Sequence, residues 1–142
     1  PIPTYEGSLE APDNSSFLFE FAGLKVLHLG DCQGLMLEAD TALIHSLYPD
    51  RYDLVLLPIG FTSDILAEAA AFATLLDAAR IVPMHYWSPA DRDAFLTLME
   101  GQTDALGRAY EVRGETGAAM TLTASSGNAP PLIIGLTPAP PG

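Results

Sequence analysis

The chain has 142 residues, enough for one domain with a substantial core. Hydrophobic residues make up 49% and charged residues 17%, which excludes a disordered polypeptide, and no apolar run reaches the roughly 18 residues that span a bilayer. The formal net charge is −12, with Lys25 the one lysine and five arginines standing singly. Clustered positive charge, which displaces counterions from phosphate, is missing, so neither a nucleic acid nor an anionic membrane surface is an expected partner.

Residues 1–14 carry three prolines among small polar residues and read as an extended lead-in. They show no basic or hydrophobic region of a signal peptide, so a cytoplasmic location is the expectation. Ser16 to Phe21 (SFLFEF) and Leu24 to Leu29 (LKVLHL) are two strand-like runs split by Ala22-Gly23, the pattern of a hairpin. Gly30 to Gly34 (GDCQG) is a turn, and Leu37 to Leu47 has the spacing of a short helix ended by Tyr48-Pro49-Asp50. Leu54 to Leu57 (LVLL) is a continuous apolar strand closed by Pro58-Ile59-Gly60. Ser63 or Asp64 can cap the helix that follows, where Ile65, Ala69, Phe72, Ala73 and Leu76 recur at helical spacing.

The strand Ile81 to Met84 comes next, then a strong helix start: Ser88 as N-cap, Pro89 at the first position and Asp91 at the third. Phe95, Leu96 and Met99 form that helix's inner stripe. Ala109 to Arg113 and Ala118 to Thr123 are expected as edge strands joined by a Gly-containing loop. The tail, residues 125–142, is rich in Pro and Gly and contains one apolar run, Leu132 to Leu136, that can add a last strand. The main domain is therefore placed at residues 15–124.

Strand-helix-strand crossovers imply a parallel segment in the sheet. LVLL and IVPM do not alternate apolar with polar, and such strands are normally buried on both faces. The helices can cover one face; the other demands a second sheet from another polypeptide or from a homodimer. Two of these strands end on a side chain able to ligate a metal: Asp31 after Gly30, and His85 after Met84. Taken alone, Gly30-Asp31 reads as turn chemistry and His85 as a hydrogen-bonded histidine. As a pair at the carboxyl ends of apolar strands, where open α/β sheets place their ligands, they point to one site.

GLKVLHLGDCQG, YDLVLLPIG, EAAAF and RIVPMHYW, in that order over roughly Ser15 to Met99, resemble the C-terminal half of the metallo-β-lactamase fold, in the branch of ascorbate-phosphate-lactonase-like metal-dependent hydrolases. The resemblance implies an α/β architecture, half of an αββα sandwich: a mixed sheet with helices on one face and a second sheet against the other. It also implies that Asp31 corresponds to the carboxylate bridging two metal ions and His85 to the last histidine, on the second metal. Zinc is the default, as two ions, with manganese or iron as alternatives for a mixed His/carboxylate set. Such a centre activates water for hydrolysis, here of a small-molecule substrate.

The family's main ligand signature, His-x-His-x-Asp-His, is absent. The histidines are His28, His45 and His85, and no two stand two or five apart. A zinc site needs at least three protein ligands. The expectation is therefore a hydrolase whose centre is completed by an N-terminal half, either on a second, histidine-rich polypeptide or on the remainder of a nicked precursor of which this chain is a piece. The rival is a non-catalytic binding or assembly module that keeps the second half of the fold.

Four further residues are candidates around the pair. His28, three residues before Asp31, either orients a ligand or is a buried hydrogen-bonded histidine. Cys32 is either a soft ligand or a small buried side chain. Thr62 and Asp64 have capping as their default role, with reaching the metal site as the alternative. His45 is expected to face solvent, and Tyr86 and Trp87 either line a pocket or pack. No Gly-x-Ser-x-Gly elbow, dinucleotide fingerprint or phosphate loop occurs, and the receiver-like strand YDLVLLP carries Pro58 where a phosphoacceptor Asp would stand.

Overall fold

In the computed structural model, which describes residues 2–4, 14–31, 42, 46, 51–60, 62–115, 117, 119–123 and 129–137, the strands form one seven-stranded mixed sheet. In chain order the elements are β1 (Ile2–Thr4), β2 (Asn14–Phe21), β3 (Leu24–His28), β4 (Leu54–Pro58), α1 (Ser63–Ala73), β5 (Arg80–Met84), α2 (Pro89–Met99), β6 (Glu111–Gly114) and β7 (Leu132–Gly135). Their order across the sheet is β1-β2-β3-β4-β5-β7-β6. The first two pairings are antiparallel and the remaining four parallel. The expected helix over 37–47 lies outside the described residues except for Ala42 and Ser46, which are helical.

The hairpin forms as its turn residues dictate. Ala22 and Gly23 both take positive φ, +51° and +77°, the two-residue turn whose twist matches antiparallel strands. Register then sends alternate residues to opposite faces: Leu18 pairs with Leu27, while Phe17, Phe19 and Phe21 pair with His28, Val26 and Leu24. The helices take the Leu27 face. There Leu27, Val55, Leu57, Ile81 and Ile133 pack with Leu66, Phe72, Phe95 and Met99 in one buried cluster. On the other face Leu54, Val82 and Ile134 form a smaller cluster with Val26 and Leu56. The continuous apolar runs are thus explained by strands that bury both faces.

Three expectations need correction. The cap of α1 is Thr62, the default role already given to it, with Oγ1 accepting the Ile65 N–H at 3.4 Å, and not the alternatives Ser63 or Asp64; three cap-capable residues stand in a row and helix phase selects the first. Residues 119–123 do not pair as an edge strand. Met120 and Leu122 instead lie against the second face of the sheet, where their two-residue alternation is satisfied without a ladder. The partner of β6 is β7, inserted in parallel between β5 and β6, because its apolar LIIG sequence suits an interior position better than the polar EVRG of β6. The α2 start is as expected: Ser88 and Asp91 form a reciprocal capping box with Pro89 in the first turn.

A charged clamp ties the loop after α2 to the end of α1. Asp104, buried at 4% exposure, accepts the backbone N–H groups of Leu106 (3.0 Å) and Arg108 (2.8 Å) and the Arg108 Nε–H (2.7 Å). Arg108 Nη2 also donates to Asp77, and Arg51 Nε stands 3.5 Å from the same carboxylate. The Tyr110 hydroxyl donates to the Ala73 carbonyl at 2.8 Å, and burial, first among its influences, holds the phenol neutral far above its ordinary range.

Burial disfavours the charged Asp104 carboxylate, but the Arg108 side chain, the two backbone donors and the Arg108 charge together outweigh it and hold the carboxyl below its usual value. A carboxyl with a folded pKa below its unfolded one stabilises the fold above the unfolded value and stops doing so as pH falls through the folded one. Stability should therefore decline as pH drops below about 4, the unfolded value for Asp. In urea titrations repeated across pH, Asp104→Asn should lose that part of the acid slope and Arg108→Ala should cost about 3 kcal/mol at pH 7 by stranding a buried carboxylate.

Candidate metal centre

Because β3, β4 and β5 run parallel, their carboxyl ends share one edge of the sheet. Backbone bonds carry the ladder just past the strands: Leu29 N–H donates to Leu56 O at 3.2 Å and Ile59 N–H to Met84 O at 3.0 Å. Beyond them the chain turns. Gly30 takes φ +68° and delivers Asp31; His85, directly after Met84, takes φ +55°. His85 Nδ1 then lies 2.9 Å from Asp31 Oδ1, with the side chains 38% and 51% exposed. The two donors named from sequence meet, and they meet where solvent and a ligand can reach them.

As β4 lies between β3 and β5, this contact spans the end of β4, where Gly60 is buried with φ +64°. A Cβ added there would stand 2.5 Å from Ile65 Cγ2, so glycine is required both by backbone conformation and by the close approach of α1. Gly60 had signalled only a strand end in the sequence.

His85 is a non-glycine residue in the left-handed region, which costs an L-residue about 1–2 kcal/mol relative to glycine. Its exposed contact with Asp31 returns less than about 1 kcal/mol. Backbone strain of this kind gathers at functional sites.

The remaining candidates are placed as follows. His28, half-buried at the end of β3, accepts the Gly30 N–H on Nδ1 at 2.9 Å. Asp64 is exposed in the first turn of α1. Tyr86 donates its hydroxyl to the Leu136 carbonyl at 3.0 Å, tying the corner after His85 to the segment after β7, and Trp87 is 78% exposed. Cys32 and His45 lie outside the described residues.

Among the described residues no group of three or more His, Cys, Asp or Glu gathers to hold a metal, so neither His28 nor Asp64 adds a third donor to the pair. Asp oxygen and imidazole nitrogen are both zinc ligands; at 2.9 Å the two atoms touch each other directly, about 0.5 Å closer than two corners of a tetrahedral shell of radius about 2.1 Å, so a small opening of the pair would admit an ion. The pair fits a divalent ion in kind and falls short in number. No helix among the described residues is long and apolar enough to cross a membrane.

Comparison with known proteins adds three findings. A family model described as a β-lactamase superfamily domain matches residues 3–85, a span that takes in both Asp31 and His85. A UPF0173 metal-dependent hydrolase of Thermococcus onnurineus is 34% identical over 107 residues, covering 71% of this chain and 46% of that protein. One from Thermococcus kodakarensis is 33% identical over 100 residues, covering 65% and 42%. The chain thus spans less than half the length of these curated relatives. A crystal structure of a Thermotoga maritima protein assigned as a Zn-dependent hydrolase of the metallo-β-lactamase superfamily aligns with TM-score 0.56 and 27% identity, over 89% of this chain and 60% of that one.

The strain at position 85 is directly measurable. His85→Ala and His85→Gly both remove the imidazole, but only glycine relieves the left-handed backbone. Urea unfolding should find the glycine variant more stable than the alanine variant by about 1 kcal/mol. Equal stabilities would show that residue 85 does not hold this conformation in solution.

Proposed function

The chain belongs to the β-lactamase superfamily, and on that footing we propose that it is one half of a metal-dependent hydrolase, contributing Asp31 and His85 to a binuclear centre. The other half is a histidine-rich polypeptide that packs on the open face of the sheet. The observation that carries the reading is the 2.9 Å meeting of Asp31 and His85 at the carboxyl edge of three parallel strands. The names of the metal-dependent hydrolase relatives support it.

The open face supports the partner. Phe17, Phe19 and Phe21 are 47%, 52% and 77% exposed and share the side of the sheet opposite α1 and α2. Single exposed apolar residues are ordinary, but a row of three phenylalanines is an interaction surface. Covering it contributes on the order of 1–2 kcal/mol per ring, enough to favour a bound partner over a bare face.

When a divalent ion is bound, it supplies Lewis-acid activation of water. Asp31 brings negative charge and an oxygen donor, and His85 brings a nitrogen donor. Gly60 lets Ile65 of α1 pack directly against the end of β4, between the two strands that deliver the pair. Zinc is the favoured metal, with manganese or iron as alternatives, and the net charge of −12 favours a small substrate over a nucleic acid. Lactone, ester, amide and phosphodiester bonds all suit this chemistry.

Purification of the chain from its source cells, with metal analysis and intact mass of every polypeptide, tests the reading. The expected result is a second chain bearing clustered histidines and about two metal ions per pair. In that complex Asp31→Ala and His85→Ala should each cut hydrolysis at least about 100-fold, since losing an outer-shell partner alone costs 10–100-fold. A metal-free monomer or homodimer, stable and inert, would instead establish the assembly module. Phe19→Lys should weaken association at least tenfold in a binding titration while leaving the chain's own stability within about 0.5 kcal/mol, as its ring is already half exposed.

A further inference from the structure

We propose that His28 is the positioning residue of this centre: by accepting the Gly30 N–H, its imidazole sets the turn from which Asp31 reaches His85. The inference rests on the reading of Asp31 and His85 as metal ligands.

Gly30 is the least self-determined residue of the site. With φ +68° it occupies a region open to glycine, but glycine samples the rest of conformational space almost as readily, so the turn has to be fixed by a partner. The β3–β4 ladder ends at Leu29, whose N–H is bound to Leu56 O. The Gly30 N–H is the first donor beyond that ladder, and His28 Nδ1 takes it at 2.9 Å.

Such two-residue side-chain-to-backbone bonds usually come from Asn, Asp, Ser or Thr at turns. An imidazole does the same with a stiffer lever. His28 is itself held in register between Phe17 on β2 and Leu56 on β4, so the turn is referred to the middle of the sheet rather than to the loop. The bond also fixes the tautomer: a neutral imidazole that accepts at Nδ1 carries its proton on Nε2. His28 thereby acts through the backbone of Gly30 on the carboxylate of Asp31. It is not itself a ligand.

The test uses the full chain, labelled with ¹⁵N, and Mn²⁺ alone as probe, read as paramagnetic broadening of the amide signals of Gly30, Asp31 and His85. Wild-type imidazole ¹⁵N shifts should show His28 protonated on Nε2; protonation on Nδ1 overturns the inference without any variant. His28→Leu, which keeps bulk and removes the acceptor, should raise the Mn²⁺ concentration for half-broadening about tenfold or more. His28→Asn, whose Oδ1 stands near the former Nδ1, should restore it to within about threefold, and His28→Gln, with its oxygen one bond too far, should not.

Failure of Asn to rescue would assign His28 to packing alone. If Asp31→Ala and His85→Ala abolish the broadening while His28→Leu binds as wild type, the positioning role falls and the metal reading stands. If the Asp31 and His85 variants leave the broadening intact, the metal reading falls and the positioning role with it.

Discussion

Parallel pairing of β3, β4 and β5 is the constraint on which the site depends. Parallel strands joined by crossovers end at the same edge, so whatever residues follow them are gathered without further instruction. Asp31 and His85 are 54 positions apart in sequence and 2.9 Å apart in space for that reason. Each is delivered by a left-handed turn, through Gly30 in one case and through His85's own backbone in the other. The central strand contributes a buried glycine at the same level, which lets α1 start close beneath the site.

Parallel sheets gain stability only when both faces are covered, and the two faces here are treated differently. Leu27, Val55, Leu57, Ile81 and Ile133 face α1 and α2 and are almost wholly buried. The Asp104–Arg108–Asp77 clamp and the Tyr110 hydroxyl bond to Ala73 hold the loop after α2 against the end of α1, so the helical layer is tied at its ends as well as by packing. The opposite face has Met120 and Leu122 over part of it, and on β2 three phenylalanines stay largely in solvent.

Local signals were enough for the elements that carry chemistry. Gly30 and Gly60 mark two strand ends, the continuous runs LVLL and IVPM require burial on both faces, and Ser88-Pro89-Ala90-Asp91 has the reciprocal cap that starts α2. Long-range choices were not legible. The alternation of Met120 and Leu122 describes an extended segment, and an edge strand and a segment laid over a sheet face satisfy it equally. Leu132–Gly135 is visibly a strand, but its place between β5 and β6 depends on which neighbours it meets. The clamp joins Arg108 to Asp77 across 31 positions, and nothing local announces it. His28 offered two readings in sequence, orienting a ligand or sitting in a hydrogen bond, and its bond to the Gly30 N–H comes from a backbone turn that the sequence does not display.

On the proposed reading, the incomplete donor set among the described residues and the exposed phenylalanines of β2 are arguments of different kinds for the same missing half. Ligand counting is chemistry: two donors do not make a zinc site, and the described residues supply no third. The exposed phenylalanines are solvation: apolar rings on a regular, twisted surface stay in water only at a cost that a second sheet removes. A homodimer would meet the second demand and fail the first in kind, since a second copy brings another Asp31 and His85 but no closely spaced histidines. His28 stands on the same face as Phe17, Val26 and Leu56, at the end of β3 where the turn to Asp31 begins. On the proposed reading, the surface that receives the partner and the turn that aims the carboxylate therefore share a residue, and docking and metal binding become coupled events rather than separate ones.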